Sequence, residues 1–219
     1  MKLHAMTASL TLLATTSIAL AGASSQRPTT GPAPAQQPVS KIELSPVGCL
    51  HVYNDAMQKG DKSDLLTRTY AATDDGLRLR DMSAEHDAVV GSILKHATSA
   101  IDEKSAREIG RALGDIGNAD LESAEVTIEG DHARVNVAGR GDTPMVLVDG
   151  VWKLDYDKVA ADINQQQPGL LDRELAMKDR INTAAVALDK AIVAGNVKSV
   201  DEAVRLLRIN LTRQLQLQP

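Results

Sequence analysis

The sequence predicts an α+β fold in which N-terminal helices pack on an antiparallel sheet and a C-terminal helical hairpin follows. Three observations carry this. From Val47 to Leu113 apolar residues recur three and four apart, from Ala124 to Asp155 they alternate with polar ones, and after Gly169 the helical spacing returns. The 219 residues are 43% hydrophobic and 24% charged with a net charge of -5, the composition of an ordinary soluble globular chain. That balance excludes collagen-like, fully disordered and multi-span membrane proteins. With no Phe and no dense block of Lys and Arg, no nucleic-acid surface is expected.

Residues 1–23 read as a signal peptide. Lys2 gives a basic start, an apolar stretch runs from Leu10 to Leu20, and Ala21 and Ala23 fit an A-x-A cleavage site. Thr11, Thr15, Thr16 and Ser17 interrupt the stretch, so no stable membrane span is expected after cleavage. The chain is therefore expected to be exported, to the periplasm or outside the cell. Residues 24–46 hold five of the eight prolines among Ser, Thr, Gln and Ala. Such a segment stays extended and solvated, and it reads as a disordered linker. A single cysteine, Cys49, permits no internal disulfide. Beside Leu50 on a predicted helix, it reads as a small buried hydrophobe.

The α+β domain is expected over residues 47–169. Ser45 and Pro46 start a helix to about Lys59, because a hydroxyl caps free amides and proline suits the first turn. Val47, Leu50, Tyr53 and Met57 give its apolar line, and Gly60 ends it. Asp61 with Asp64 opens a second short helix carrying Leu65, Leu66 and Tyr70. The polar run from Thr73 to Asp81 reads as a loop. Ser83 then caps a third helix with Val90, Ile93, Ala97 and Ile101 on its buried side, and a fourth carries Ile109 and Leu113 until Gly114, Gly117 and Asn118 break it.

Four strands follow. Ala124, Val126 and Ile128 point one way, Gly130 and Asp131 turn the chain, and Ala133, Val135 and Val137 continue the apolar face. A second hairpin from Met145 to Asp155 turns at Asp149 and Gly150, which sets Leu147 opposite Trp152 and Met145 opposite Leu154. Those four share the sheet's core face. Val146, Val148 and Val151 make the other face more apolar than open solvent favours, so part of it is expected to be covered.

Residues 170–219 read as the helical hairpin. Leu171, Leu175, Ile181, Ala185, Leu188 and Ile192 line its first helix, and Gly195 and Asn196 turn the chain. Ser199 and Glu202 form a capping box before the stripe Val200, Val204, Leu207, Leu211 and Leu215, which needs a partner surface. Residues 47–170 carry 13 basic and 22 acidic side chains, whereas residues 171–219 carry 8 and 6. A mildly basic hairpin suits docking on an acidic body, in the same chain or a neighbour's.

Helices followed by antiparallel hairpins, ending in the strand Asp149, Gly150, Val151, Trp152, Lys153, Leu154 and Asp155, resemble the NTF2-like (cystatin-like α+β) superfamily, in particular its small exported bacterial members of unknown function. The resemblance covers residues 47–158. It implies a curved sheet wrapped around a helix, and a function that is either acid/base catalysis in the cone between helix and sheet or non-catalytic binding and assembly. No catalytic residue carries over, because none of the superfamily's catalytic motifs matches residue by residue.

The candidate catalytic group read from the residues is His51, Tyr53 and Asp55 on the first helix, with Tyr70 beyond it. His51 and Asp55, four apart, share a side of the helix, where they read either as a surface pair or as a histidine oriented by a carboxylate. Tyr53 lies about 200° around the helix from each of them. His86 and His96 are ten apart on the third helix, a spacing that does not make a two-histidine metal site. His132, opposite Glu129 at a turn, is expected to be exposed. Asp74 with Asp75, and Asp115 with Asp120, lack the spacing of a calcium loop. No metal and no cofactor are expected. Arg140, Gly141 and Asp142 spell an adhesion tripeptide in a predicted loop, and Asn210 opens a glycosylation sequon on the apolar stripe of the last helix. The function expected is a non-catalytic exported domain binding a small molecule or a protein. The alternatives are an acid/base enzyme and a structural oligomer, such as a homodimer, assembled through the C-terminal helices.

Overall fold

The computed structural model describes residues 45–113, 118–137 and 141–216. The signal peptide and nearly all of the linker expected from the sequence lie outside these residues, as do Asp115 and Arg140. Among the described residues, seven α-helices, one 3-10 turn and five strands follow in the order α1 (Pro46–Lys59), α2 (Lys62–Thr67), β1 (Thr69–Tyr70), α3 (Asp74–Ala100), α4 (Glu103–Leu113), the 3-10 turn (Asn118–Ser123), β2 (Glu125–Glu129), β3 (His132–Val137), β4 (Gly141–Val148), β5 (Val151–Asp155), α5 (Tyr156–Gln166), α6 (Leu170–Val193) and α7 (Val200–Gln216). The fold is α+β. No described helix is long and apolar enough to cross a membrane.

The sheet has the order β1-β5-β4-β3-β2. Its hairpins hold the expected register, with Leu147 opposite Trp152 and Met145 opposite Leu154. Positive φ at both Asp149 (51°) and Gly150 (80°) makes the tight turn whose twist matches the flanking strands. The sheet is mixed rather than wholly antiparallel, because β1 adds a fifth strand parallel to β5, pairing Thr69 with Leu154 and Tyr70 with Asp155. Tyr70 is thus a strand residue, not part of α2. Leu154 N–H donates to the Arg68 carbonyl at 3.0 Å just before that pairing.

On one sheet face, Cys49 and Leu50 of α1 pack with Leu121, Ala133, Val135, Val137, Met145 and Trp152. The opposite face keeps Val146, Val148 and Val151 half-buried. The core face is more open at its far edge, where Val126 is 39% and Ile128 56% exposed.

The third helix starts ten residues earlier than its pattern suggests. Thr73, not Ser83, is the cap, its hydroxyl accepting from Gly76 N–H at 3.1 Å. Asp157 of α5 locks that start by accepting from the Ala72 and Thr73 amides and from the Thr73 hydroxyl, at 2.9, 3.0 and 2.7 Å. The polar run Thr73–Asp81 is therefore the cap and first turns of a helix, with Gly76 and Leu79 buried, and Ser83 is a buried mid-helix residue. Further along, α3 touches α1 closely at Gly91, where a Cβ would stand 1.7 Å from the Met57 carbonyl oxygen.

α6 lies along α3, and α7 packs on α6 and α4. Val90, Ile93 and Ala97 of α3 meet Ala106, Ile109 and Leu113 of α4, Ala185, Leu188 and Ile192 of α6, and Ala203 of α7. Ser199 caps α7 through the Glu202 amide at 3.2 Å, while the Glu202 carboxylate reaches past the cap to the Lys198 amide at 2.7 Å. Of the expected α7 stripe, Val200, Val204, Leu207 and Leu211 are only half-buried, whereas Ala203 is buried.

Candidate functional site

Four helices bring titratable side chains to one interior point. Asp155 caps α5 by accepting from Lys158 N–H at 3.0 Å, so the chain leaves β5 and enters a helix at once, with Tyr156 facing inward. There Tyr156 shares hydrogen bonds with Ser83 of α3 and Tyr53 of α1. Tyr53 donates to Asp87 Oδ2 at 2.5 Å, and Lys178 of α6 donates to Ser83 Oγ at 2.8 Å. The result is a continuous run Lys178–Ser83–Tyr156–Tyr53–Asp87.

The electrostatics follow from burial. Burial first, then Tyr156 and the Asp87 carboxylate, raise the Tyr53 phenol well above its ordinary value. Burial and the same carboxylate push Tyr156 up to about 12. Burial lowers the Lys178 ammonium, opposed by Asp87 and Glu174. Both phenols therefore stay protonated and serve as donors. Each polar group in the run is used by another member of it, which suits a network that aligns helices.

Beside this run, α3 and α6 travel in the same direction with a ladder of polar pairs between them. Arg78 meets Asp172 at 2.9 Å, His86 Nδ1 meets Asn182 Oδ1 at 2.6 Å, and Ser92 and His96 meet Asp189 at 2.9 and 2.8 Å. The other ring nitrogen of His86 stands 3.1 Å from the Leu113 carbonyl, at the α4 end where backbone carbonyls lack helical partners.

Beside the ladder, residues of α3 and α6, with Lys62 of α2, line a groove of about 830 Å³. Met82, Leu175, Val186 and Ala187 give it an apolar floor, with Asn182 beside them. Lys62, Arg78 and Lys190 set cations on its rim, and Asp81, Glu85 and Asp179 set anions there. Lys62 and Glu85 pair across the α2–α3 side. His96 and Ser92 fall on the same face of α3 as Arg78, Met82 and Glu85, so the Asp189 pair stands where the groove's line along the helices ends.

No family model matches the chain, and no curated protein or solved structure does either. The site therefore rests on its own geometry.

Of the candidate catalytic residues read from the sequence, Tyr53 alone joins the interior run. His51 is half-buried and Asp55 exposed on the side of α1 away from Tyr53, and Tyr70 is half-buried on β1. The partner of Tyr53 is Asp87, 34 residues away in sequence. His132 is exposed, its Nδ1 3.9 Å from Asp155 Oδ2. Gly141 and Asp142 belong to β4 rather than to a loop, and Asp142 accepts from Asn136 Nδ2 at 2.6 Å. Asn210 is half-buried on α7, and Cys49 is buried, its Sγ 4.0 Å from the Arg68 carbonyl oxygen. Among the described residues no three His, Cys, Asp or Glu side chains are grouped to hold a metal ion.

Sequence reasoning missed Ser83, Asp87, Tyr156 and Lys178. A local signal existed for Tyr156: Asp155 as a cap, with Tyr156, Ala160 and Ile163 at helical spacing. For Lys178 there was none, because it lies among charged residues on a predicted helix surface and its partner is 95 residues away.

Proposed function

We propose that the chain is an exported, non-catalytic binding domain of the NTF2-like kind, and that the α3–α6 groove is its binding site. The ligand is a small molecule or short peptide carrying both charges. The observation that carries this reading is the groove itself, an apolar floor between cationic and anionic rims in a space of about 830 Å³. Ligand sites of this size combine a largely apolar lining with a few polar groups that fix orientation. Asp179 and Lys190, eleven residues apart on α6, stand about 16 Å apart along the helix axis and suit the two ends of such a ligand. A helix held against one sheet face, with Cys49 and Leu50 on Trp152, supports the NTF2-like reading. The satisfied run from Lys178 to Asp87 supports the non-catalytic one, since its groups bond to one another.

The test is a native mass spectrum of the chain taken from its own compartment, beside a Val186→Arg variant that fills the groove floor. A defined adduct on the unaltered chain and none on the variant, with the melting temperature held, is the expected result. An adduct of equal occupancy on both sinks the groove as the site.

A further inference from the structure

Among the described residues β2 ends the sheet, and β3 is its one strand partner. All five of its residues are exposed. Glu129 and His132 flank a two-residue turn and form the hydrogen-bonded pair of that hairpin, so alternation directs the backbone of Glu125, Thr127 and Glu129 toward β3. The N–H and C=O groups of Val126 and Ile128 then point outward, along the free edge. The side chains divide as cleanly. Val126 and Ile128 lie opposite Val135 and Ala133 and extend the core face to an exposed edge, while Glu125 and Glu129 flank Thr127 on the other face.

A second copy of this chain paired over the whole length of β2 meets repulsion. Antiparallel pairing centred on Thr127 sets Glu125 of each chain against Glu129 of the other, placing like charges directly opposite twice. The same arithmetic defines what does fit. We propose that β2 is a docking edge for an extended segment of another protein that carries Lys or Arg at two positions four apart, a small polar residue midway, and apolar residues between. Added antiparallel, that segment bonds to the outward groups of Val126 and Ile128. It places its cations in the closer, non-hydrogen-bonded pairs with Glu125 and Glu129, and lays its apolar side chains beside Val126 and Ile128. This edge is separate from the α3–α6 groove and does not depend on it.

The experiment uses the full chain and two short peptides, one with the core Lys-Val-Thr-Val-Lys and one with Glu-Val-Thr-Val-Glu, read by backbone amide shifts. The lysine peptide is expected to shift β2 and to bind about tenfold tighter than the glutamate peptide, with the preference reversed in the double variant Glu125→Lys, Glu129→Lys. Ile128→Pro removes an outward N–H without touching a β3 hydrogen bond, so it should weaken the lysine peptide about tenfold while the melting curve holds. Absence of binding, a preference that survives the charge swap, or shifts confined to the α3–α6 groove overturns the proposal. So does self-association of the unaltered chain that Ile128→Pro abolishes, which assigns the edge to a second copy.

Discussion

Beneath the sheet, Cys49 and Leu50 meet Leu121, Val135, Met145 and Trp152 through an apolar surface. Along α3 and α6, the contacts run instead through Arg78 and Asp172, Ser83 and Lys178, His86 and Asn182, and Ser92 and Asp189. The first region stabilises by area removed from water, which is non-directional and tolerates small shifts. The second gains little from each pair but fixes which residue of α6 stands beside which residue of α3, because a half-buried polar group left unpaired costs more than its hydrogen bond contributes. The groove exists between these helices because the polar ladder sets their alignment while apolar residues hold them together deeper in.

The largest test of this contrast is in the apolar region. Trp152 is 6% exposed and belongs to the apolar cluster under the sheet. Trp152→Ala should cost about 3 to 5 kcal/mol in denaturant unfolding, the range for large aromatic truncations in cores. A cost below about 1 kcal/mol, typical of surface changes, would show that the sheet face is not the main store of stability.

The polar region should answer to pH instead. Tyr156, at about 12 in the folded chain, keeps its proton after an unfolded tyrosine near 10 has lost its own. Between those values the folded state binds the extra proton, so the contribution is complete below about pH 10 and is lost as the pH rises through about 12. Two units correspond to about 3 kcal/mol. Tyr53 acts in the same direction. Lys178 acts oppositely: its lowered folded value lets stability rise with pH toward the ordinary lysine value of 10.5. Urea unfolding from about pH 9 to 12 should therefore show a steep alkaline loss that flattens in Tyr156→Phe. Parallel curves for the two proteins would remove Tyr156 as its source.

The same contrast governs what could be read from the residues. Hairpin register was legible because alternation and a two-residue turn leave one pairing that buries Met145 and Trp152 together. The start of α1 was legible because Ser45 and Pro46 act on their own neighbours, and the Ser45 hydroxyl does accept from Gly48 N–H at 2.9 Å. The interior run was not, because Tyr53, Asp87, Tyr156 and Lys178 come from four helices and no local pattern records the meeting. β1 escaped for a related reason: two residues paired in parallel to a distant strand have no alternation to display. The exposure of Val126 and Ile128 was also hidden, since alternation fixes the face of a strand but not whether anything covers it.

Thr73 is where local and distant signals meet, and it gives the smallest effect. Its hydroxyl caps α3 through Gly76 N–H at 3.1 Å and donates to Asp157 Oδ1 at 2.7 Å. Read locally, the polar residues after it suggest a loop; held by Asp157, they become the first turns of the longest helix. Thr73→Ala should cost about 1 kcal/mol, as for the loss of an N-cap. Thr73→Ser, which keeps the hydroxyl, should recover most of it. Asp157→Ala removes the distant anchor, so the double variant Thr73→Ala, Asp157→Ala should cost less than the sum of its two single changes. Full additivity in that cycle would mean that cap and anchor act independently, and that the start of α3 is set by its own residues.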